Sequence, residues 1–146
     1  ANGSLIETYE FLKSDEESMK MRVSIYGNSS CAGNAKGSFV DAACTPPYHI
    51  HTYQHETFTV ISGVMAYYVN NKSEIHYMKT GESVTVPPCI HHTFWSGSQD
   101  DLVVTIEVSP GGTSRSFFEN LVGITNDAPD DILNLLYTLI HSDIGF

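Results

Sequence analysis

A chain of 146 residues suits one packed domain and leaves little room for two, and with 41% hydrophobic and 16% charged residues it can bury an ordinary core. Seventeen acidic against seven basic side chains give a formal net charge of −10, a field that repels phosphate backbones and anionic lipid heads and argues against nucleic acid and membrane surfaces as partners. No apolar run approaches the roughly 20 residues of a membrane-crossing helix.

In chain order, Met19 to Tyr26 alternates, with Met21, Val23 and Ile25 on one face and Lys20, Arg22 and Ser24 on the other, the pattern of a half-buried strand. Gly27 to Ser38 is rich in Gly, Asn, Ser and Ala and reads as a loop. Phe39 to Ala43 is a short strand candidate, punctuated by Cys44-Thr45-Pro46-Pro47. Three Cys is an odd number for a disulfide framework. Cys31 and Cys44 are therefore expected as reduced thiols in a cytoplasmic protein, with pairing across the loop and secretion as the alternative. From Tyr48 onward strand follows strand: Glu56 to Ile61, Val64 to Val69, a turn at Asn70-Asn71-Lys72-Ser73, Ile75 to Met78, Ser83 to Val86, His91 to Trp95, and Leu102 to Val108. Many short strands at this spacing predict an antiparallel sandwich or barrel. The C-terminal part changes period: a helical segment is expected over about 115–141. Asp127-Ala128-Pro129-Asp130-Asp131 forms its second start, and Ile132, Leu135, Leu136, Leu139 and Ile140 form an apolar stripe that must cover the barrel or a partner subunit.

The histidines carry the chemistry. His49 and His51, at i and i+2 of an extended segment, project to one side. Glu56 lies at an odd offset from His51 and reaches the same space only if the chain bends around Tyr53-Gln54. His92 follows a Pro-Pro turn on another strand. Three imidazoles and a carboxylate suit one divalent transition metal, Fe, Mn or Ni first and Zn or Co as alternatives. Spacing alone leaves the ordinary reading open, in which these are surface or hydrogen-bonded core histidines. His55 and His91 are rivals for two of the places, because adjacent strand residues face opposite sides.

Pro47-Tyr48-His49-Ile50-His51-x4-Glu56-x6-Gly63 resembles the first motif of the cupin superfamily, and Gly81-x5-Pro87-Pro88-Cys89-Ile90-His91-His92 resembles the second. The resemblance covers residues 47–96 and implies an all-β antiparallel jelly-roll barrel, here with a short C-terminal helical extension and expected as one domain over residues 1–146. It also implies a likeness to quercetin-dioxygenase-like metal cupins, frequent dimerisation, and His49, His51, Glu56 and His92 as the metal ligands, choosing Glu56 over His55 and His92 over His91. Two positions depart from the pattern: Cys89 stands where Gly is usual, so a positive φ there would be strained, and Ser96 stands where Asn is common.

Parity places Phe58 and Val60 inward with Glu56, and Ile90 and Phe94 inward with His92, as candidate substrate-contacting residues. No Lys or Arg occurs between Lys36 and Lys72 or between Lys79 and Arg115, which disfavours phosphorylated or dicarboxylate substrates. The expectation is a homodimeric enzyme acting on a neutral phenolic or enolisable small molecule as an oxygenase, with Glu56 as ligand or general base. A non-redox isomerase, lyase or cyclase on the same site is the alternative, and a non-catalytic binding protein the third reading.

Overall fold

The computed structural model describes residues 7–27, 45–46, 48–112, 115–116, 119 and 144–145. The expected strand at 39–43, Cys31 and Cys44, and the apolar stripe at 132–140 lie outside them, as does the expected helical segment apart from Arg115, Ser116 and Glu119.

Among the described residues ten strands are antiparallel throughout: β1 Glu7–Ser14, β2 Met19–Ile25, β3 Ile50–His51, β4 His55–Ser62, β5 Val64–Val69, β6 His76–Lys79, β7 Ser83–Val86, β8 His92–Ser96, β9 Leu102–Ser109 and β10 Ile144–Gly145. One sheet runs β1-β2-β9-β4-β7, and the other layer is built from β6-β5-β8 and β10-β3, joined where His49 bridges His92. This is the antiparallel jelly-roll class that the cupin resemblance implies.

Strand chemistry explains the layers. On β2 the alternating Met19, Met21, Val23 and Ile25 are all at most 2% exposed, and each buried side chain of this size contributes roughly 1.5–3 kcal/mol. They meet Val104, Ile106 and Val108 of β9 and Phe58 and Val60 of β4 in one core cluster, with Met65, Met78, Val86 and Phe94 closing it from the other strands. β1 is not foreseen by periodicity. Its Glu7, Glu10 and Lys13 break the apolar pattern, and a register shift between Phe11 and Lys13 breaks the period of two. β6 and β8 each begin one residue later than expected.

Two turns fix the order of the strands around the ligands. Gly63, at φ +87°, reverses the chain between β4 and β5, and a Cβ there would stand 2.3 Å from the Asp101 carbonyl oxygen. Asn70, at φ +61°, opens the β5–β6 turn, where Asn71 Oδ1 accepts hydrogen bonds from the Ser73 backbone N–H (2.9 Å) and hydroxyl (2.8 Å). Strand β8 is buried along its whole length. Thr93 and Trp95 do face away from His92, yet each is 1% exposed. Thr93 donates to the Pro46 carbonyl at 2.6 Å, and Trp95 packs on Tyr68 at 4.9 Å between ring centroids. No described helix is long and apolar enough to cross a membrane.

Candidate metal centre

Three strands converge on one end of the barrel. In β4, Glu56 pairs with Val108 of β9 and Val86 of β7, which places it deep between the layers. In β8, His92 pairs with Val69 of β5 and exchanges two backbone hydrogen bonds with His49, at 3.1 and 2.9 Å. Strand β3 carries His51, whose carbonyl accepts from the Cys89 N–H at 2.8 Å. The backbone groups of His49 and His51 thus turn toward β8 and the Pro-Pro turn. The other edge of β3 is taken by β10, with Ile144 opposite His51 and Gly145 opposite Ile50.

The bend that the odd offset of Glu56 requires is present: the ladder ends at His51, Thr52 and Tyr53 turn, and β4 starts at His55. Parity then decides both rivalries. Glu56 is buried and His55 is exposed; His92 is buried, while half-buried His91 stacks on Tyr48 at 5.2 Å with Lys72 Nζ 4.4 Å over the other ring. One ligand atom each from His49, His51, Glu56 and His92 lies within 4.8 Å of the rest. His51, Glu56 and His92 are 2%, 3% and 2% exposed, and only His49 is open to solvent in part. His49 is thus the most open of the four.

Cys89 occupies the sharp turn before β8 at φ +63°. The turn keeps the geometry that glycine would favour and the cysteine bears the strain, with Sγ 3.3 Å from the Thr52 carbonyl oxygen. A left-handed non-glycine residue costs about 1–2 kcal/mol, against about 0.5–1 kcal/mol for the added freedom of glycine in the unfolded chain. Cys89→Gly should therefore leave metal binding intact and be neutral or up to about 1 kcal/mol more stable in denaturant titrations. A loss of more than about 1 kcal/mol would show that the thiol contact outweighs the backbone strain.

The donor set calls for a cation. His51 Nδ1 lies 3.1 Å from Gln54 Oε1, and His92 Nδ1 lies 2.9 Å from the Ile90 carbonyl oxygen. Both partners are acceptors, so each neutral ring carries its proton on Nδ1 and turns a lone pair on Nε2 toward Glu56. Those two Nε2 atoms stand 3.3 and 2.5 Å from Glu56 Oε2. Two lone pairs and a carboxylate oxygen at such range repel unless a proton or a metal ion lies among them. Burial pushes the Glu56 carboxyl up; when it is a proton that sits on the Nε2 atoms, hydrogen bonds and charge from His51 and His92 outweigh burial and hold the group well below the usual carboxylate range. The residues present fit a divalent transition metal: three imidazoles, one carboxylate and an approachable side.

Beside Glu56 and His92 the chain carries apolar side chains. Phe58 and Val60 are buried in line with Glu56, Phe94 is buried in line with His92, and Ile90 packs against the same cluster partly exposed. Phe58 meets the His92 ring at 6.1 Å and Phe94 at 5.2 Å between centroids. Four cations among the described residues are engaged elsewhere. Arg22 pairs with Glu10 at 2.7 Å, Lys20 with Glu107 at 3.3 Å, and Lys13 with Asp15 at 3.3 Å. Arg115 holds Glu119 at 2.7 Å and lies over Phe11. Of the tyrosines, Tyr53 and Tyr77 are 46% and 53% exposed, Tyr68 packs on Trp95, and Tyr67 packs against the core cluster. Gln54 is 1% exposed and touches a ligand directly. In the sequence it is legible only as part of a bend, because a single glutamine carries no pattern.

A family model described as Cupin domain matches residues 39–109. Over 125 residues the chain is 34% identical to a Hypocrea virens protein named "Probable oxidoreductase virH", covering 82% of this chain and 53% of that protein. Over 90 residues it is 38% identical to an oxidoreductase of Arthrobotrys oligospora, covering 56% of this chain and 35% of that one. The chain thus spans about half or less of these curated relatives. Among solved structures, an RmlC-like cupin family protein with a double-stranded β-helix fold from Methanocaldococcus jannaschii is similar with a TM-score of 0.56 at 16% identity, over 80% of this chain and 91% of that one. At that identity the likeness speaks for the fold.

Proposed function

The chain belongs to the cupin superfamily, and on that premise we propose that it is a metal-dependent oxidoreductase of the dioxygenase kind acting on a neutral phenolic or enolisable small molecule. What supports this reading is the ligand set His49, His51, Glu56 and His92, which suits a cation, together with the apolar side chains Phe58, Val60, Ile90 and Phe94 carried beside Glu56 and His92. Two relatives named as oxidoreductases support the reaction class.

A divalent metal held by these four residues would supply a Lewis-acidic centre that stabilises an enolate or phenolate and brings it together with O₂. The chain itself does the rest. With one carboxylate among the four ligands, the centre has one positive charge left to balance, which a substrate meets by losing a single proton. Glu56 Oε2 is the group placed to take that proton, as the carboxylate oxygen that stands beside Nε2 of His51 and His92. Phe58, Phe94 and Val60 exclude water and cover the aromatic or acyl body of the ligand, while half-exposed His49 marks the entrance.

The test is to load the protein with Fe, Mn or Ni in turn and offer phenols and 1,3-dicarbonyl compounds, following dissolved O₂ and product mass. Consumption of O₂ with products heavier by oxygen is expected. Products isomeric with substrate and no O₂ loss would replace the oxygenase by a lyase or isomerase on the same residues, and binding without turnover would overturn the enzyme altogether.

A further inference from the structure

We propose that Gln54 is the positioning residue of the metal centre: it fixes which nitrogen of His51 faces the metal and holds the bend that brings His51 and Glu56 into one space. The proposal rests on the metal reading of the site.

Gln54 is 1% exposed and sits between the two ligands in sequence, where β3 ends and β4 has not begun. Its amide is oriented by its surroundings. Nε2 lies 2.7 Å from the Pro110 carbonyl oxygen and 3.4 Å from that of Gly111. Only the donor end of the amide can face two carbonyl oxygens, since a flipped amide would set oxygen against oxygen. Oε1 is thereby directed at His51 Nδ1, 3.1 Å away, and can only accept. The His51 proton is drawn to Nδ1, and the Nε2 lone pair is aimed at the centre beside Glu56. His92 reaches the same tautomer by another route, through the Ile90 backbone carbonyl two residues before it. His92 is thus set by its own strand, whereas His51 depends on a side chain.

The anchor matters as much as the bond. Pro110 and Gly111 follow β9, the strand that pairs with both β2 and β4. Gln54 therefore ties the bend between β3 and β4 to the exit of the central strand. Without it, the imidazole regains rotation about its side-chain bonds and the choice of tautomer, and the bend loses its buried tether. Such partners of metal-bound histidines carry roughly 10–100-fold in metal affinity.

Two substitutions test this. Gln54→Met keeps the length but loses both the acceptor for His51 and the donor for Pro110. Gln54→Glu keeps an acceptor for His51 and, as the neutral acid that two facing carbonyl oxygens favour, a donor for Pro110. Co(II) and Zn(II) affinities should be measured by competition with a chelator on the intact chain, with the visible spectrum of bound Co(II) and the melting temperature of the metal-free protein recorded beside them. The expectation is a Kd raised about 10–100-fold in Gln54→Met with an altered Co(II) spectrum, and a Kd within about threefold of wild type in Gln54→Glu. If Gln54→Glu binds as weakly as Gln54→Met, or Gln54→Met binds like wild type, the positioning role is overturned. Should Gln54→Met not fold, the affinity of Gln54→Glu decides alone. Failure of the metal reading would be visible separately, as wild-type protein that binds neither ion.

Discussion

His49→Ala, His51→Ala and His92→Ala should each weaken divalent-metal binding by on the order of 10²-fold, while His55→Ala and His91→Ala leave it within about threefold of wild type. A four-ligand zinc site binds with roughly 10–16 kcal/mol, an average of about 3 kcal/mol per ligand, and each 1.4 kcal/mol is tenfold in affinity. Water entering the vacated place restores part of this, most easily at half-exposed His49 and least at His51 and His92, which are each 2% exposed. His49 should therefore show the smallest of the three losses. The controls are as informative as the losses. His55 adjoins Glu56 but is exposed, and His91 adjoins His92 but stacks on Tyr48 outside the cluster. Metal per chain by elemental analysis, and Kd by competition, check the series. Full retention in His92→Ala together with loss in His91→Ala would place the second motif in the other register.

How far the sequence carries can be seen at particular residues. The alternation of Met19 to Ile25 was enough to define β2, because a strand with one covered face writes its burial in period two. The same rule placed Glu56, Phe58 and Val60 on one face of β4. It said nothing useful of β1, whose charges and register shift hide the period, nor of β10, two residues that pair with the ligand strand from the far end of the chain. It also left both faces of β8 unexplained: Thr93 and Trp95 alternate correctly with His92 and Phe94, but burial on both sides depends on what packs outside, which no local pattern records. Around the centre, residue types and the resemblance to the cupin motifs brought His49, His51, Glu56 and His92 to attention together. The Nδ1 partners were not legible. One is the backbone carbonyl of Ile90, and the other is a glutamine whose role exists only because Pro110 lies beside it. Cys89 shows the reverse case, in which the strain foreseen from a missing glycine is present in the fold as φ +63°.

Glu56→Gln should abolish most of the stabilisation that metal gives the fold while leaving the metal-free protein close to wild type. Glu56 is the anion among the four converging residues and is 3% exposed. Without it a dication would rest on neutral donors in a buried site, where charge is poorly screened. The amide also changes the metal-free state. Its N–H₂ can donate to the Nε2 lone pairs of His51 and His92, which in the wild type face a carboxylate oxygen at 3.3 and 2.5 Å. The variant thus satisfies the two imidazoles without a cation, and the mutual repulsion that favours metal entry is gone. At a metal concentration of about 1,000 times Kd the wild type should gain about 4 kcal/mol, roughly 10 °C in Tm for a chain of this size. With Kd raised about 10²-fold, the same concentration should give the variant only about 1.4 kcal/mol, or roughly 4 °C. Thermal scans with and without metal read both numbers, and the metal-free curves show whether the variant is folded. Turnover at metal saturation should fall further than metal content, because an amide oxygen cannot take the substrate proton. An equal metal-induced shift in Glu56→Gln and wild type would mean that the carboxylate is not a ligand, and that three imidazoles alone hold the ion.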